Sequence, residues 1–587
     1  MFQAFKKISS IYLAAFIAVV FVHGGVALSQ DQPWVEMFQP QGLNFAGIYK
    51  LRQREPALDG SDVKFAVICR SFTYLNDEPQ NDYRPDIMHN CFWNSRIAFH
   101  DSNELISGIS PHSTALCSLL FGEDPNGYNK RLGYFSYEGA VPQAQADIYE
   151  FWYFLVNNVF ANEPVDSDIL VAGIGSSRED WWTRGIESMV ERDGIIAIMG
   201  IGNGSAVEDT PLYPGAGANV IGVGVVDSVK AFELETSLSR FSLVYPEHSS
   251  FGPTTDGRCK PDIVAPGNCL AADTNEPGSY QPTGNWSSFS TPIVAGTLGM
   301  LVQQAKDDPN LSSALDPNGG NCVMKAILMN SATKLAFWHK GKLTKDDDHV
   351  VPLDYLQGAG MLNAVSAYDQ LMAGQSGPGV VPSTAWDLNQ LLDSKNVEHS
   401  YRITLNNPAD KVIAVTMVWN KHYKDEYPFE PMPEKDTNLR LELWAIDADN
   451  PDNDSLLDYS DSAVDNVEHI FSLLDANISN YEIVVSYGNA VEANDVASSP
   501  YAIAWSIKKS LNNYPDRTFD MSMFWYDLNS DGIVDGLDFV ILAENLIADA
   551  KSPESPFIGD IDASGSIDVR DLQILLETRG LEAEWYK

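Results

Sequence analysis

Positive charge is scarce in this chain. Its 587 residues include 38 lysines and arginines against 80 aspartates and glutamates, a formal net charge of −42. That balance argues against nucleic acid or an anionic membrane surface as a partner, since both attract positive charge. It fits a solubilising acidic surface. Cysteine is sparse too: there are six, at 69, 91, 117, 259, 269 and 322. None forms the Cys-x-x-Cys spacing of a zinc site, and the sequence does not choose among the possible disulfide pairings. Long apolar runs are missing after the first, Ile11 to Val22, which itself falls short of the ~20 residues a membrane helix needs. Lys6 and Lys7 precede that run, and Gly24, Gly25 and Ala27 follow it. This predicts a secretory signal peptide over 1–28, cleaved after Ala27 or Ser29. The mature protein is then expected to be exported, extracellular or surface-associated, with no membrane span, in a setting that permits disulfides.

The chain is too long for one core, so two to four domains are expected. Residues 40–372 alternate apolar strand-like runs with helical patterns. "FAVICRSF" (65–72) and "DILVAGIG" (168–175) read as buried strands, and "DWWTRGIESMVERDG" (180–194) as a helix. "IIAIMGIGNG" (195–204) and "ANVIGVGVVDS" (218–228) are strands again. "STPIVAGTLGMLVQQA" (290–305) predicts a helix with Pro292 near its start, and "NCVMKAILMNSATK" (321–334) another. Such alternation implies an α/β fold, a parallel sheet with helices on both faces. Residues 378–510 instead carry short alternating runs, among them "KVIAVTMVWN", "NLRLELWAID" and "NYEIVVSYGN", split by turn formers. They predict an all-β sandwich. A polar link at 510–517 leads to a small α unit at 519–583.

That last unit repeats itself. "DLNSDGIVDGLDF" begins at Asp527 and "DIDASGSIDVRDL" at Asp560. The first places oxygen side chains at Asp527, Asn529, Asp531, Asp535 and Asp538; the second at Asp560, Asp562, Ser564, Asp568 and Asp571. Ile533 and Ser566 would add backbone carbonyls, and Gly532 and Gly565 permit the tight turn. Oxygen ligands wrapped this way suit a hard cation, and two calcium ions are expected. Ser564 is a weaker ligand than Asp531, so the second loop should bind more weakly.

Three stretches of the α/β part could form one chemical site. Ser288, placed just before a helix N-terminus in "SSFSTPIVAG", is positioned to act as a nucleophile if a base is near. His112 opens a helix in "PHSTALCSLL", a suitable place for that base. Asn203, in "IGNGS" just beyond a buried strand, offers an amide to a developing oxyanion. Each also has a structural reading: Ser288 and His112 as helix caps, Asn203 as a turn former.

The order and flanks of these residues resemble the subtilisin-like serine peptidases. "HSTALCS" is similar to the family's H-G-T-x-V-A, "GIGNGS" to A-G-N-x-G, and "WSSFSTPIVAG" to G-T-S-M-A-T-P-x-V-A-G. "SSFGPTTDGRCKPDIVAPG" (249–267) follows the family's run almost letter by letter, and "GAGMLNAVSAY" (358–368) resembles the domain's end. The resemblance covers about 40–372. It implies Ser288 as nucleophile, His112 as general base and Asn203 as oxyanion donor, in the hydrolysis of a protein or peptide substrate through an acyl-enzyme. Residues 378–510 resemble the jelly-roll-like domain appended to some of these enzymes. The repeat at 519–583 resembles a type I dockerin, which implies a cohesin-type scaffold protein as partner. Gly536–Leu537 and Val569–Arg570 depart from the Ser/Thr pair many dockerins use for recognition.

The resemblance breaks at one decisive place. Where the family writes V-A-V-I-D-[ST]-G, this chain writes "FAVICRS", so Cys69 stands at the position of the triad aspartate and Ser71 at that of a glycine. A neutral thiol does not stabilise an imidazolium as a carboxylate does, and loss of that aspartate costs about 3 × 10⁴ in turnover in subtilisin. Ser113 and Trp286 also replace family glycines. Cys69 can be a packing residue, one half of a disulfide with Cys117 as a candidate partner, or a gap filled by a carboxylate such as Asp62, Asp77, Asp82 or Asp86. Two readings of the chain follow: a tethered serine endopeptidase, or a pseudopeptidase that keeps the architecture as a binding or scaffold-associated surface protein.

Overall fold

The computed structural model describes residues 38–509 apart from 72–73, 76–77, 80–81, 103–107, 178–180, 205–209, 229–233, 240, 336–337, 343–346, 393–396, 407–410, 434, 448–449, 476 and 489–497; it also describes 536–548, 572–573 and 575–576. The expected signal peptide lies outside the described residues. Among them, no helix is long and apolar enough to cross a membrane.

The chain first builds a seven-stranded sheet. Its strands are β1 (Lys64–Cys69), β2 (Arg96–His100), β3 (Gln145–Glu150), β4 (Ile169–Ala172), β5 (Ile196–Gly200), β6 (Ile221–Val226) and β7 (Ile263–Pro266), in the order β7-β6-β5-β4-β1-β3-β2. Every pairing is parallel. The central strands are apolar almost throughout because both faces are covered. On one face Phe65, Val67 and Cys69 of β1 join a core with α1 (Pro111–Phe121), α3 (Ser287–Asp307) and α4 (Gly320–Ser331). On the other, Ala66 and Ile68 pack with Ile186 and Met189 of α2 (Trp181–Asp193). Such a sheet gathers its functional groups where the strands end, at their carboxyl edge.

The helix expected from residue 290 begins instead at Ser287, so Pro292 lies inside it rather than in its first turn. Proline has no N–H for the carbonyl of Ser288. The hydroxyls of Ser290 and Thr291 bond the carbonyl of Ser287 at 3.1 and 2.7 Å and hold the turn together.

Residues 379–509 form two further sheets. The strands are β8 (Gly379–Val380), β9 (Thr384–Leu391), β10 (His399–Thr404), β11 (Lys411–Trp419), β12 (Leu439–Ile446), β13 (Ser455–Ser460), β14 (Val467–Leu473), β15 (Asn480–Tyr487) and β16 (Ser499–Lys509). One sheet has the order β8-β10-β15-β12-β13 and the other β9-β16-β11-β14. Tyr401, Leu441 and Ile483 of the first share an apolar core with Val415, Trp419 and Trp505 of the second. The outer face of the four-stranded sheet is not left to solvent: α4 packs against β11 and β16. Polar side chains fix that seam. Asn330 donates to Ser506 Oγ at 3.2 Å and accepts from Thr416 Oγ1 at 3.2 Å, and Lys334 Nζ meets His469 Nε2 at 2.8 Å.

Candidate active site

Ser288 is the second residue of α3, not a residue ahead of it, because Trp286 takes the cap position with extended backbone (φ −136°, ψ 136°). Trp286 is 48% exposed, and its indole lies against Gly284. The Ser288 hydroxyl donates to the carbonyl of Gly173, the first residue after β4, at 2.8 Å. This contact needs glycine: a Cβ at 173 would sit 3.3 Å from Ser288 Cα and 2.7 Å from Leu116 Cδ1.

Asn203 follows the end of β5. Its Oδ1 accepts from the Ser287 N–H at 2.8 Å and from the Ser287 hydroxyl at 2.9 Å. The Ser287 oxygen in turn accepts from the Gly202 N–H at 3.2 Å. Both donors fall on Oδ1, which fixes the amide plane. Its Nδ2 donates to no described residue and is left as an N–H source beside Ser288. Ser287 thus has a role that the sequence reading missed; its hydroxyl, next to the nucleophile candidate, was the available signal.

His112 is the second residue of α1. Pro111 begins that helix, and Ser110 caps it by accepting from the Ser113 N–H at 3.1 Å. The imidazole lies tilted against the ring of Phe289, the residue after Ser288, with centroids 5.5 Å apart. Burial lowers its pKa to about 4. The ring is therefore neutral near neutral pH, the form a general base requires.

Cys69 closes β1 and is buried, as are the other five cysteines; all six are free thiols. The disulfide reading of Cys69 is thus replaced by a hydrogen bond. The Cys117 thiol donates to the Cys69 sulfur, which lowers the pKa of Cys69. The same bond and burial push Cys117 well up.

The carboxylates suggested as substitutes fare differently. Asp62 precedes β1 at the opposite end of that strand, roughly 20 Å from Cys69 at strand spacing. Asp86 lies beside α1, where its N–H donates to Thr114 Oγ1 at 2.8 Å, and its carboxylate accepts from the Met88 N–H at 3.0 Å. Asp82 packs against Gly108, and Asp77 lies outside the described residues. A carboxylate that the sequence reading passed over stands nearer. Glu150, the last residue of β3, is in register with Cys69 and only 4% exposed. Its Oε2 accepts from the Tyr153 N–H at 2.9 Å, while its Oε1 is buried with no hydrogen-bond partner. Burial raises its pKa. The signal for it was an acidic residue closing the strand "ADIYE".

Of the expected calcium ligands only Asp538 is among the described residues. It sits fully buried in the first turn of α5 (Gly536–Ala548). A carboxylate suits a helix N-terminus. Asp527, Asn529, Asp531, Ile533, Asp535, Asp560, Asp562, Ser564, Ser566, Asp568 and Asp571 lie outside the described residues.

The described site is thus a serine, an amide and an imidazole set around the carboxyl edge of a covered parallel sheet. Comparison with known proteins places this part of the chain among serine-type peptidases at the level of the family. Residues 77–360 match the subtilase family model, and residues 525–577 match the type I dockerin domain. The chain carries a subtilase domain and, beyond its antiparallel sheets, a type I dockerin. It is 30% identical over 194 residues to the C5a peptidase of Streptococcus pyogenes, a stretch covering 32% of this chain and 13% of that protein. It is 29% identical over 238 residues to the serine protease AprX of Bacillus subtilis, covering 37% of this chain and 47% of that one. Each match therefore spans less than half of the relative's own length. Among solved structures, the patellamide maturation protease PatG aligns with a TM-score of 0.37 at 14% identity, over 56% of this chain and 95% of that one.

Proposed function

We propose that the chain is a secreted subtilisin-like serine endopeptidase, tethered through a calcium-binding dockerin to a cohesin-type scaffold protein. Residues 1–28 export it, 40–372 form the peptidase domain, 378–510 a jelly-roll-like β-sandwich, and 519–583 the dockerin. Ser288 Oγ attacks the scissile carbonyl and passes its proton to His112. The resulting oxyanion is met by Asn203 Nδ2 and the Ser288 N–H. His112 then protonates the leaving amine, and water, activated by the same ring, hydrolyses the acyl ester. In the resting arrangement Ser288 bonds Gly173, so a rotation about its side chain precedes attack.

The observation that carries this reading is the anchoring of Asn203: Oδ1 is held by both donors of Ser287. A turn-forming asparagine has no need of that double anchor. An oxyanion donor does, because preorganised dipoles stabilise charge at little reorganisation cost.

Two calcium ions in the dockerin loops would be held by Asp527, Asn529, Asp531, Ile533, Asp535 and Asp538, and by Asp560, Asp562, Ser564, Ser566, Asp568 and Asp571. Asp538 lies in the first turn of its helix, where the repeat places its last ligand. Calcium bound there would hold the loops in shape.

A fluorophosphonate probe tests the reading. It should label the purified wild-type protein at Ser288, and Ser288→Ala should abolish the label. Absence of label on folded wild-type protein would leave the pseudopeptidase reading in its place.

A further inference from the structure

We propose that Glu150 supplies the carboxylate that Cys69 does not, its free oxygen orienting the His112 ring and stabilising the imidazolium formed during turnover. Glu150 is a positioning residue in this account, which rests on the peptidase reading above.

Three observations converge. The first is register. β1 and β3 are adjacent parallel strands, with Cys69 directly opposite Glu150. Partners in a parallel pair lie about 4.8 Å apart and project to the same face. The second is which face that is. Phe65, Val67 and Cys69 of β1 and Ala146 and Ile148 of β3 all join the core that includes α1. Alternation along β3 therefore sends Glu150 to the side of the sheet that carries His112. The sulfur of Cys69 interacts with Ser113 and Cys117 of α1, so the strand ends lie under the first turns of that helix. The third is the state of the carboxylate itself. Oε2 caps the short helix Phe151–Phe154 through the Tyr153 N–H at 2.9 Å, which fixes the group. Oε1 remains buried without a partner. A buried anionic oxygen left unpaired is costly, and a ring N–H is a donor that would satisfy it.

The surrounding charges agree. Arg70, next in the chain after Cys69, favours ionised Glu150, while Asp101 opposes it; burial outweighs both and raises its pKa. The groups on α1 that face the strand ends are the Cys117 thiol and the Ser113 hydroxyl. Asp86 beside that helix accepts the Met88 N–H on Oδ1.

The test is Glu150→Gln, which keeps a carbonyl oxygen for the Tyr153 cap but removes the charge. We expect kcat/KM to fall about 10²-fold with little change in KM. In the wild type, activity should fall on acidification through the raised pKa of Glu150. In the variant that limb should retreat to lower pH, where His112 alone titrates. Adding Cys69→Asp to Glu150→Gln should restore at least about 10-fold of the loss. An independent readout needs no turnover. In Ser288→Ala protein, the His112 imidazole followed by NMR should titrate at lower pH once Glu150→Gln is added, because a neighbouring carboxylate favours the imidazolium. Unchanged titration of His112, or a lowered melting temperature with an unaltered pH profile, would reduce Glu150 to a helix cap and overturn the proposal. Failure of wild-type protein to take the fluorophosphonate label would remove the peptidase reading, while the NMR titration would still judge the link between Glu150 and His112.

Discussion

A thiol at the end of β1 changes the charge of the site more than its shape. The Cys69 sulfur already receives a hydrogen bond from Cys117, and that donor would serve a carboxylate at the same place. Cys69→Asp is therefore expected to fit and to raise kcat/KM by about 10- to 10³-fold, with about 3 × 10⁴ as the ceiling. The pH profile should move with it. His112 is held near 4 by burial; a carboxylate beside it stabilises the protonated ring, so its pKa rises. In protein that also carries Glu150→Gln, where His112 alone sets the acid limb, that limb should then shift to higher pH, which a profile of kcat/KM measures directly. An unmoved limb would mean that the new carboxylate does not reach the ring. Much of this site was legible as residue types. Serine, imidazole and amide each stood in a recognisable local setting, and the structure places the amide and the serine on adjoining turns. Glu150 was not legible, because its relation to Cys69 is a matter of strand register, and register between β1 and β3 is fixed by the packing of the segments between them.

Among the elements, α3 holds the site most tightly. It is buried along nearly its whole length, so its position relative to the strand ends is set by close contacts. Gly296 is the sharpest of these: a Cβ there would come 2.2 Å from the Cβ of Ala140. Gly296→Ala should push α3 outward and destabilise the protein by about 1–3 kcal/mol, read as a lower midpoint in urea unfolding; an unchanged midpoint would show that α3 shifts freely. The start of this helix was misplaced in the sequence because proline usually marks a first turn. Here the Ser290 and Thr291 hydroxyls tie the first turn to the Ser287 carbonyl, one residue before the carbonyl that Pro292 leaves without its usual donor, an arrangement visible only in three dimensions. The opposite holds for "KPDIVAPG". Its strong resemblance to the family run has a structural cause: Lys260 and Asp262 pair inside the protein, Lys325 joins at 2.9 Å, and Asp262 accepts from the Gly222 N–H at 2.7 Å. That motif reports a buried ion cluster beneath β6 and β7 and no chemistry of its own.

For the whole molecule, the question is whether the α/β part stands alone. The sequence suggested a domain at 40–372 and a β-sandwich at 378–510, from a change in pattern near residue 378. Pattern alone does not show how the two segments pack. α4 is buried on every side, with the parallel sheet's core on one flank and β11 and β16 on the other. Asn330, a polar residue in the middle of that seam, finds its partners on Gln370, Ser506 and Thr416. A chain ending at residue 378 would expose this apolar face and strip Asn330 of two of those partners. It should be insoluble or molten, whereas protein ending at 509 should fold and keep its fluorophosphonate labelling; circular dichroism and labelling of the two truncations measure this. A soluble, labelled 1–378 protein would refute the shared core.

The two-sided burial of α4 also bears on how such a chain can change. A side chain enlarged on the helix-facing side of β11 or β16 expands into α4, and α4 in turn packs on β5, the strand that leads to Asn203. Drift in the antiparallel sheets is therefore transmitted to the strand that positions Asn203, and related chains should show compensating volume changes across this seam rather than independent histories for its two walls.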